Sequence, residues 1–430
     1  MKTVFRIAFT VVLLSSTGSS LVGQEWTRFR GPNGTGISDA KGIPVKWTDD
    51  DLNWKIALPG KGHSSPVVWG DKVFLLSANP ATAKRYVLCV DAKSGAIIWT
   101  REFQSAPHHL HARSSYASCT PAVDEARVYV GWSTPEKTTL MALDHLGNTK
   151  WELDLGTWTS QHGFGASPIV YQDTLILHLS QQSNQLQPGQ KPGKSFMLAF
   201  NRATGKELWR TPLISANVCY SVPFIYSPKN GADELICTST GNGVFSLNPK
   251  TGKFNWSTHD GTGEPTFSMR TVSSPIFAGG VVFGTTGSGA YAGNYIVAVR
   301  PGKKPEIAYS LKNSGKFKAP YVPCLLAKGD DVFLMYDRGF ATCLHAPTGK
   351  IHWFTRTGTA FNASPIRIGD RIYAIDEDGV VWVIAADTKE FRVLAKNPLG
   401  EPSSSTPAVS GGRLFLRTFS HLYCISGGAS

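Results

Sequence analysis

Short apolar runs separated by turn residues recur along the whole chain and keep the same internal order. In the first repeat, apolar residues crowd into 65–69, 72–77, 86–91 and 96–103, with Gly, Asp, Ser and Lys between them. Runs of this length, bounded by turn residues, are typical of β-strands. The pattern therefore predicts a repeated unit of four antiparallel strands, labelled a to d in chain order.

A residue followed by proline marks the start of each unit. The eight starts are Ser65-Pro66, Thr120-Pro121, Ser167-Pro168, Val222-Pro223, Ser274-Pro275, Val322-Pro323, Ser364-Pro365 and Thr406-Pro407. Successive prolines lie 55, 47, 55, 52, 48, 42 and 42 residues apart, a spacing that suits one four-stranded blade. The sequence therefore predicts an all-β fold, an eight-bladed β-propeller of four-stranded antiparallel blades.

The last unit is incomplete, because the chain ends soon after strand c at 421–425. Residues 53–58 carry the missing pattern, with an apolar residue four positions after Trp54, as in strand d at 209–213. We therefore expect the N-terminal strand to close the ring by pairing beside 421–425. Such pairing removes two free sheet edges at once.

A tryptophan recurs in strand d, shortly after a tight c–d turn that contains glycine. Tryptophan buries a large area and can still donate its indole N–H. We therefore predict packing roles, and not functional ones, for these residues. They are Trp99, Trp151, Trp209, Trp256 and Trp353, with Tyr309 and Val393 near the matching place in the fifth and seventh units.

The first residues resemble an export signal. Lys2 and Arg6 precede a short apolar run at 7–14 and small polar residues at 15–20. Because the run is too short to span a bilayer, we expect a cleaved signal peptide at 1–23, a leader segment at 24–46 and one propeller at 47–430. The protein is then periplasmic or secreted, without a membrane span.

Composition adds a preference for anionic partners. The formal charge is +12, and loss of Lys2 and Arg6 leaves 12 − 2 = +10, which favours acidic surfaces if the charge is not spread evenly. Seven cysteines lie mostly within strand-like runs, where we expect small buried apolar side chains, although a disulfide between blades stays open. The sequence indicates neither nucleic acid as a partner nor an oligomeric state.

The repeat resembles the PQQ-like (pyrroloquinoline quinone) β-propeller family. The similarity rests on Ser-Pro-x-Val, on Val-Tyr/Phe-x-x-Ser and on Asp-x-x-Thr/Ser-Gly-x-x-x-Trp, and on the leader 26–34. It covers nearly the whole mature chain. The family includes quinoprotein alcohol dehydrogenases and the lipoprotein BamB of the outer-membrane β-barrel assembly machinery, so the resemblance implies the fold and leaves activity open.

Several features expected of those relatives are missing from this sequence. No two cysteines are adjacent, so the dehydrogenases' vicinal disulfide cannot form, and their calcium ligands and catalytic Asp cannot be assigned. The lipid-bearing cysteine of the lipoprotein is also missing, because the first cysteine is Cys89. We therefore expect no PQQ, no calcium and no catalytic residues.

The candidate binding surface lies on the face formed by the d–a and b–c connections, which are the longer loops. We predict a partner-binding centre at Arg113, Tyr116, Arg270, Lys318 and Arg338, four cations and an aromatic brought together by the ring. The alternative is that these cations pair with Glu264, Asp337 or Asp376 and only hold loops in place.

Two motifs on the same face invite a metal interpretation. His108, His109 and His111 have part of a ligand pattern, but a solvated loop is the better explanation and we predict no metal site there. The run 376–379, Asp-Glu-Asp-Gly, lacks the length and terminal Glu of a calcium loop, so we expect a β-turn there.

These observations favour a non-catalytic, exported binding or scaffold propeller whose partner is a protein or an anionic polymer. Two alternatives stay open at this point. One is a PQQ- and calcium-dependent alcohol or sugar dehydrogenase, and the other is a carbohydrate-binding or carbohydrate-active accessory protein.

Overall fold

Eight four-stranded antiparallel sheets form the architecture, as predicted. The computed structural model describes residues 25–259, 266–289 and 293–427, and the predicted signal peptide lies outside them. In blades 1 to 4 the strands are β3 (Val67–Trp69), β4 (Lys72–Ala78), β5 (Arg85–Asp91) and β6 (Ile97–Phe103); β7 (Ala122–Val123), β8 (Arg127–Ser133), β9 (Thr138–Asp144) and β10 (Thr149–Asp154); β11 (Ile169–Tyr171), β12 (Thr174–Leu179), β13 (Ser195–Asn201) and β14 (Glu207–Leu213); β15 (Phe224–Tyr226), β16 (Glu234–Ser239), β17 (Gly243–Leu247) and β18 (Phe254–Ser257).

Blades 5 to 8 repeat the order. Their strands are β19 (Ile276–Ala278), β20 (Val281–Thr286), β21 (Tyr295–Arg300) and β22 (Glu306–Lys312); β23 (Leu326–Lys328), β24 (Asp331–Tyr336), β25 (Phe340–His345) and β26 (Ile351–Arg356); β27 (Ile366–Ile368), β28 (Arg371–Ile375), β29 (Val380–Ala385) and β30 (Val393–Pro398); β31 (Ala408–Ser410), β32 (Arg413–Arg417), β33 (His421–Ser426) and β2 (Leu52–Ala57). Two short 3₁₀ turns, Pro32–Gly34 and Asp49–Asp51, precede β2.

The N-terminal strand closes the ring, which confirms that prediction. β2 pairs antiparallel with β33, with Trp54 opposite Cys424 and Ala57 opposite His421. The leader adds a further strand, β1 (Ile37–Ser38), which runs parallel to β27 and makes blade 7 five-stranded. Residues 25–57 therefore contribute strands to two different blades.

The predicted packing role of the strand-d tryptophans is also confirmed. The indoles of Trp54, Trp99, Trp151 and Trp209 lie against the glycine of the next blade's c–d turn, and a Cβ on Gly95 would come within 2.7 Å of Trp54. The indole N–H usually donates to a carbonyl of that same turn, as from Trp54 to Ala92 at 3.2 Å. Trp99, Trp151, Trp209 and Trp353 repeat this contact with His145, Arg202, Pro249 and Asp387. Trp256 is the exception, since it donates to Glu234 of its own blade.

A belt of hydrogen bonds around the axis explains the small residue at the start of each blade. In seven of the eight junctions the backbone N–H at this position donates to the hydroxyl or thiol at the same position of the next blade. The belt consists of Ser65, Thr120, Ser167, Val222, Ser274, Cys324, Ser364 and Thr406. It is interrupted only after Ser167, because Val222 offers no acceptor.

The belt corrects one detail of the repeat. In blade 6 the sequence pattern pointed to Val322-Pro323, but Cys324 occupies the belt position and Leu325 stands where the other blades have proline. Because Pro323 is displaced, the predicted start of blade 6 lies two residues too early in the chain. All seven cysteines are unpaired and buried, so the prediction of small buried side chains is confirmed.

Candidate functional site

The leader closes one end of the central channel. Buried Arg28 donates to the carbonyl of Pro223 at 2.6 Å, and buried Arg30 donates to that of Leu325 at 2.7 Å. Trp26 pairs with Val68 of blade 1, whereas these two anchors lie in blades 4 and 6, so the leader crosses this end of the channel. Phe29, between the two arginines, lines the channel cavity from this side. The channel is therefore blind, and the cavity opens on the face of the d–a loops.

All eight d–a connections contribute to the central cavity, whose volume is about 520 Å³. Its polar wall contains three histidines, two arginines and several hydroxyls, and its apolar wall contains valines and Phe29. The principal side chains are His63, His111, Arg113, His162, Tyr220, Val222, Arg270, Val272, Tyr321, Val322, Ser364 and Thr406. Among the described residues of this lining there is no Asp or Glu.

Burial, and to a smaller extent nearby arginines, lowers the pKa of two histidines in the cavity wall. Burial, and then the nearby cation of Arg270, lowers the pKa of His162 to about 4. Burial and Arg417 do the same to His63, whose pKa is also about 4. Both histidines are therefore neutral near pH 7, and the fixed positive charge comes from arginine. The ring of His162 meets that of His111 edge to face, with centroids 4.7 Å apart.

A second cavity of about 570 Å³ adjoins the first on the side of blades 8 and 1. The two share His63, Arg113, Ser114, Asn362 and Ser404, so they form one continuous cleft. The second cavity adds a more mixed wall, with Lys61, Pro80, Tyr116, Glu377 and Phe419. The cleft thus runs from the axis outward between the loops.

Three of the five predicted site residues border this cleft. Arg113 lines both cavities, Arg270 lines the central one and Tyr116 lines the outer one. Arg270 is held by the side-chain oxygens of Gln161 and Gln182, at 2.9 and 3.2 Å. Its position is therefore fixed by neighbouring loops before any ligand binds.

Tyr116 has a structural environment of its own. Its hydroxyl donates to the carbonyl of His108 at 2.8 Å and accepts from that residue's N–H at 3.0 Å. Its ring lies 4.8 Å from the guanidinium of Arg85, which also donates to the carbonyl of Tyr116. Tyr116 therefore stabilises the 104–120 loop. Because its hydroxyl is already hydrogen-bonded within this loop, the part of Tyr116 available to the cleft is the aromatic ring.

The other two predicted residues lie away from both cavities. The ammonium of Lys318 lies 5.9 Å from the ring of Phe340, and Arg338 is exposed in the b–c turn of blade 6. The sequence could assign all five residues to one face. It could not show that Lys318 and Arg338 line neither cavity.

The predicted ion-pair alternative has partial support at Arg113. Asp337 is 1 % exposed, and burial raises the pKa of its carboxyl to about 6, against the opposing effect of the Tyr321 N–H and of Arg113. Asp376 instead accepts from Trp382, Thr359 and the Val380 N–H of its own blade region. Glu264 lies outside the described residues.

Neither metal motif forms a cluster in the described part of the chain, where no three His, Cys, Asp or Glu side chains converge as a metal centre requires. His108 binds the carbonyl of Ala106, and His111 stacks on His162. The run 376–379 is a β-turn as predicted, closed by a 3.1 Å bond from the Gly379 N–H to the Asp376 carbonyl.

Comparison with known families supports the repeat pattern. A family model described as outer membrane protein assembly factor BamB, of the PQQ repeat type, matches residues 46–191, 193–303 and 322–418. The chain belongs to this family. The BamB-like match begins just before β2 and therefore includes the strand that closes the ring. A search of curated proteins finds no match to the sequence.

Solved structures give the same fold at low identity. BamB from Moraxella catarrhalis superposes with a TM-score of 0.60 at 13 % identity, covering 87 % of this chain and 99 % of that one. Quinohemoprotein alcohol dehydrogenase from Comamonas testosteroni gives 0.61 at 13 % identity, covering 95 % and 81 %. The computationally designed Ika8 protein gives 0.56 at 11 % identity, covering 86 % and 98 %. At 11–13 % identity, these similarities show that the proteins share a fold.

The described lining of the central cavity lacks the carboxylates that usually hold calcium. Calcium takes six to eight oxygen ligands, usually including carboxylates. The described lining of the central cavity offers hydroxyls and one amide, Asn362, but no carboxylate. Phe29 of the leader also lines the far end of the channel. The described donor set is therefore poor for calcium.

The part of the chain that the structure describes contains no helix with the length and apolarity needed to cross a bilayer.

Proposed function

We propose that this BamB-like chain is a non-catalytic, exported binding propeller that holds a protein partner of the cell envelope against its d–a loop face. The observation that carries the proposal is the blind cleft, closed at one end by the leader, whose described central lining contains Arg113 and Arg270 but no Asp or Glu. Arginine and tyrosine dominate binding hot spots, and both border this cleft. The description of the matched family, an assembly factor, supports a protein partner.

The electrostatic part of the proposal predicts how binding depends on salt. Two arginines at the mouth of a cleft attract acidic groups, and salt weakens that attraction over about 10 Å at 0.1 M ionic strength. A partner held at this face is therefore released progressively as salt is raised. Partners held only by apolar contacts would not respond in this way.

A pair of charge-reversal variants tests the face. Arg113→Glu combined with Arg270→Glu should abolish capture of partners from an envelope extract, because both cations border the cleft. Lys318→Glu combined with Arg338→Glu changes the net charge equally on the same side of the ring and should retain capture. If the first variant folds normally and still retains every partner of the wild type, the proposed face is wrong.

We further propose that the protein binds neither PQQ nor calcium. Two observations support this: no two cysteines are adjacent, and the central lining offers no carboxylate within the described residues. Titration of the purified protein with PQQ in the presence of Ca²⁺ should show no saturable uptake. Stoichiometric uptake, followed by dye-linked oxidation of an alcohol or sugar, would instead support a dehydrogenase.

A further inference from the structure

The shape of the central cavity restricts what can enter it. Its floor is fixed, because Arg28 and Arg30 bind backbone carbonyls of blades 4 and 6 and place Phe29 across the axis. An extended chain cannot pass through a blind cavity. A ligand of the partner must therefore enter by an end or by a single protruding group.

The charge of the wall selects an anion. Arg113 and Arg270 border the cavity, and its described lining contains no Asp or Glu; buried Asp337 interacts with Arg113 but is not part of the lining. The lowered pKa of His162 is due first to burial and then to the positive charge of Arg270 in the same wall. A carboxylate entering here would gain charge-assisted hydrogen bonds, which are roughly twice as strong as neutral ones.

The deeper wall selects an apolar group next to that anion. Phe29, Val222, Val272 and Val322 line the cavity, and most of the belt hydroxyls already accept hydrogen bonds from the neighbouring blade. A volume of about 520 Å³ is within the usual range for sites that enclose a small group. An anion joined to an apolar side chain is the chemistry of a polypeptide C-terminus.

We propose that the central cavity binds the C-terminal end of the partner polypeptide, with its α-carboxylate between Arg113 and Arg270 and an apolar last side chain over Phe29. This rests on the proposed function and names the part of the partner that is recognised. Capture of a C-terminal carboxylate is a recurring mode of peptide recognition.

The outer cavity gives the preceding residues a path. It continues from Arg113 toward the rim, past the rings of Tyr116 and Phe419 and the proline Pro80. Two or three residues in extended conformation, at up to about 3.5 Å each, would lie in this part of the cleft. Because the wall of the outer cavity is mixed, it selects less strongly for residue type than the central cavity does. The last residue of the partner should therefore decide most of the specificity.

The test uses labelled hexapeptides of one internal sequence, ending in Phe, Leu, Val, Ser or Asp, each made as the free acid and as the C-terminal amide. Fluorescence anisotropy with the full mature protein measures binding. The free acids ending in Phe, Leu or Val should bind, their amides at least tenfold more weakly, and those ending in Ser or Asp at least tenfold more weakly than the best apolar one.

Variants separate the two parts of the cavity. Arg113→Gln should weaken the free acids at least tenfold and leave the weak binding of the amides unchanged, whereas Arg338→Gln, an arginine outside the cleft, should change neither. Phe29→Ala enlarges the cavity at its closed end, so the preferred last residue should shift toward larger side chains. A variant that only perturbed the loops would weaken all peptides equally and leave their order unchanged.

Three outcomes would overturn the proposal: equal binding of acids and amides, no binding of any peptide, or binding of an acidic oligosaccharide such as oligogalacturonate in place of peptides. The proposed function fails separately. If the charge-reversal variants block partner capture but free C-termini do not bind, the face is correct and only the recognised group is wrong.

Discussion

Ring closure depends on Trp54, and replacing it with alanine should destabilise the propeller and release β2 from β33. The indole is 8 % exposed, lies against Gly95 of blade 1 and stands 6.1 Å from the ring of Phe415. Its N–H donates to the Ala92 carbonyl at 3.2 Å. The side chain therefore joins blade 8, which the N-terminal strand completes, to blade 1.

The magnitude follows from the buried area and the lost hydrogen bond. A tryptophan buries about 150–250 Å² of surface, which at about 25 cal/mol/Å² corresponds to about 4–6 kcal/mol. Gly95 has no side chain that could fill the gap, so relaxation is limited. Measured costs of Trp→Ala in cores are about 3–5 kcal/mol, and we expect Trp54→Ala in that range.

Urea unfolding followed by far-UV circular dichroism measures the loss of stability. Hydrogen exchange locates it, with faster exchange expected in Leu52–Ala57 and His421–Ser426. Trp54→Phe keeps most of the area but leaves the Ala92 carbonyl without its donor, at a cost of about 1 kcal/mol for the hydrogen bond. Trp209→Ala is the matched control, because it makes the same contact between blades 3 and 4 and should leave exchange in β33 unchanged.

A loss below about 1 kcal/mol for Trp54→Ala would refute this reasoning, since it falls under the smallest value expected for a buried aromatic. Equal exchange in β33 for the Trp54 and Trp209 variants would refute the claim that the contact acts locally on ring closure.

Three further predictions concern turns, pH and the leader. Gly95→Ala should cost about 1–3 kcal/mol in urea unfolding, because the added Cβ meets Trp54 at 2.7 Å and φ is +76°, whereas Gly70→Ala, at φ +56° in open space, should cost less. Burial raises the pKa of Glu401, but hydrogen bonds from Ser420, Thr418 and His421 outweigh it and hold that pKa at about 2. The contribution of Glu401 to stability should therefore be complete above about pH 4.5 and be lost as pH falls toward 2, so the difference in stability between wild type and Glu401→Gln should shrink over that interval. Deletion of 25–38 should open the floor of the channel and accelerate hydrogen exchange in β27, which loses its parallel neighbour β1; unchanged exchange there would contradict the role given to the leader.

The architecture could be predicted because its signals are local and repeated. Alternating apolar runs, turn glycines and the proline after a small residue each act within a few positions, and eight copies make the period visible. Ring closure was readable for the same reason: the last unit lacks a strand whose pattern, around Trp54, occurs near the other end of the chain. Blade 6 shows the limit, since the displaced Pro323 moved the predicted start away from Cys324.

For the candidate site, the sequence could predict only which face of the ring carries it. Loop lengths and charges assigned Arg113, Tyr116 and Arg270 to the correct side of the ring, because connections between successive strands alternate between the two faces. They gave no distance from the axis, so they could not show that Lys318 and Arg338 lie outside the cleft. Whether a loop residue points inward depends on contacts with other loops, such as those of Arg270 with Gln161.

The sequence alone determined the repeat, the number of blades and the closure of the ring, because each is encoded by neighbouring residues and by the hydrogen-bonding needs of strands. Only the tertiary structure decided that the leader seals the channel and that arginines and valines face a blind cavity. Those features depend on contacts such as Arg30 with Leu325, 295 positions apart in the chain. Contacts at that separation leave no periodic signal, because the residues that make them meet only once the ring has closed.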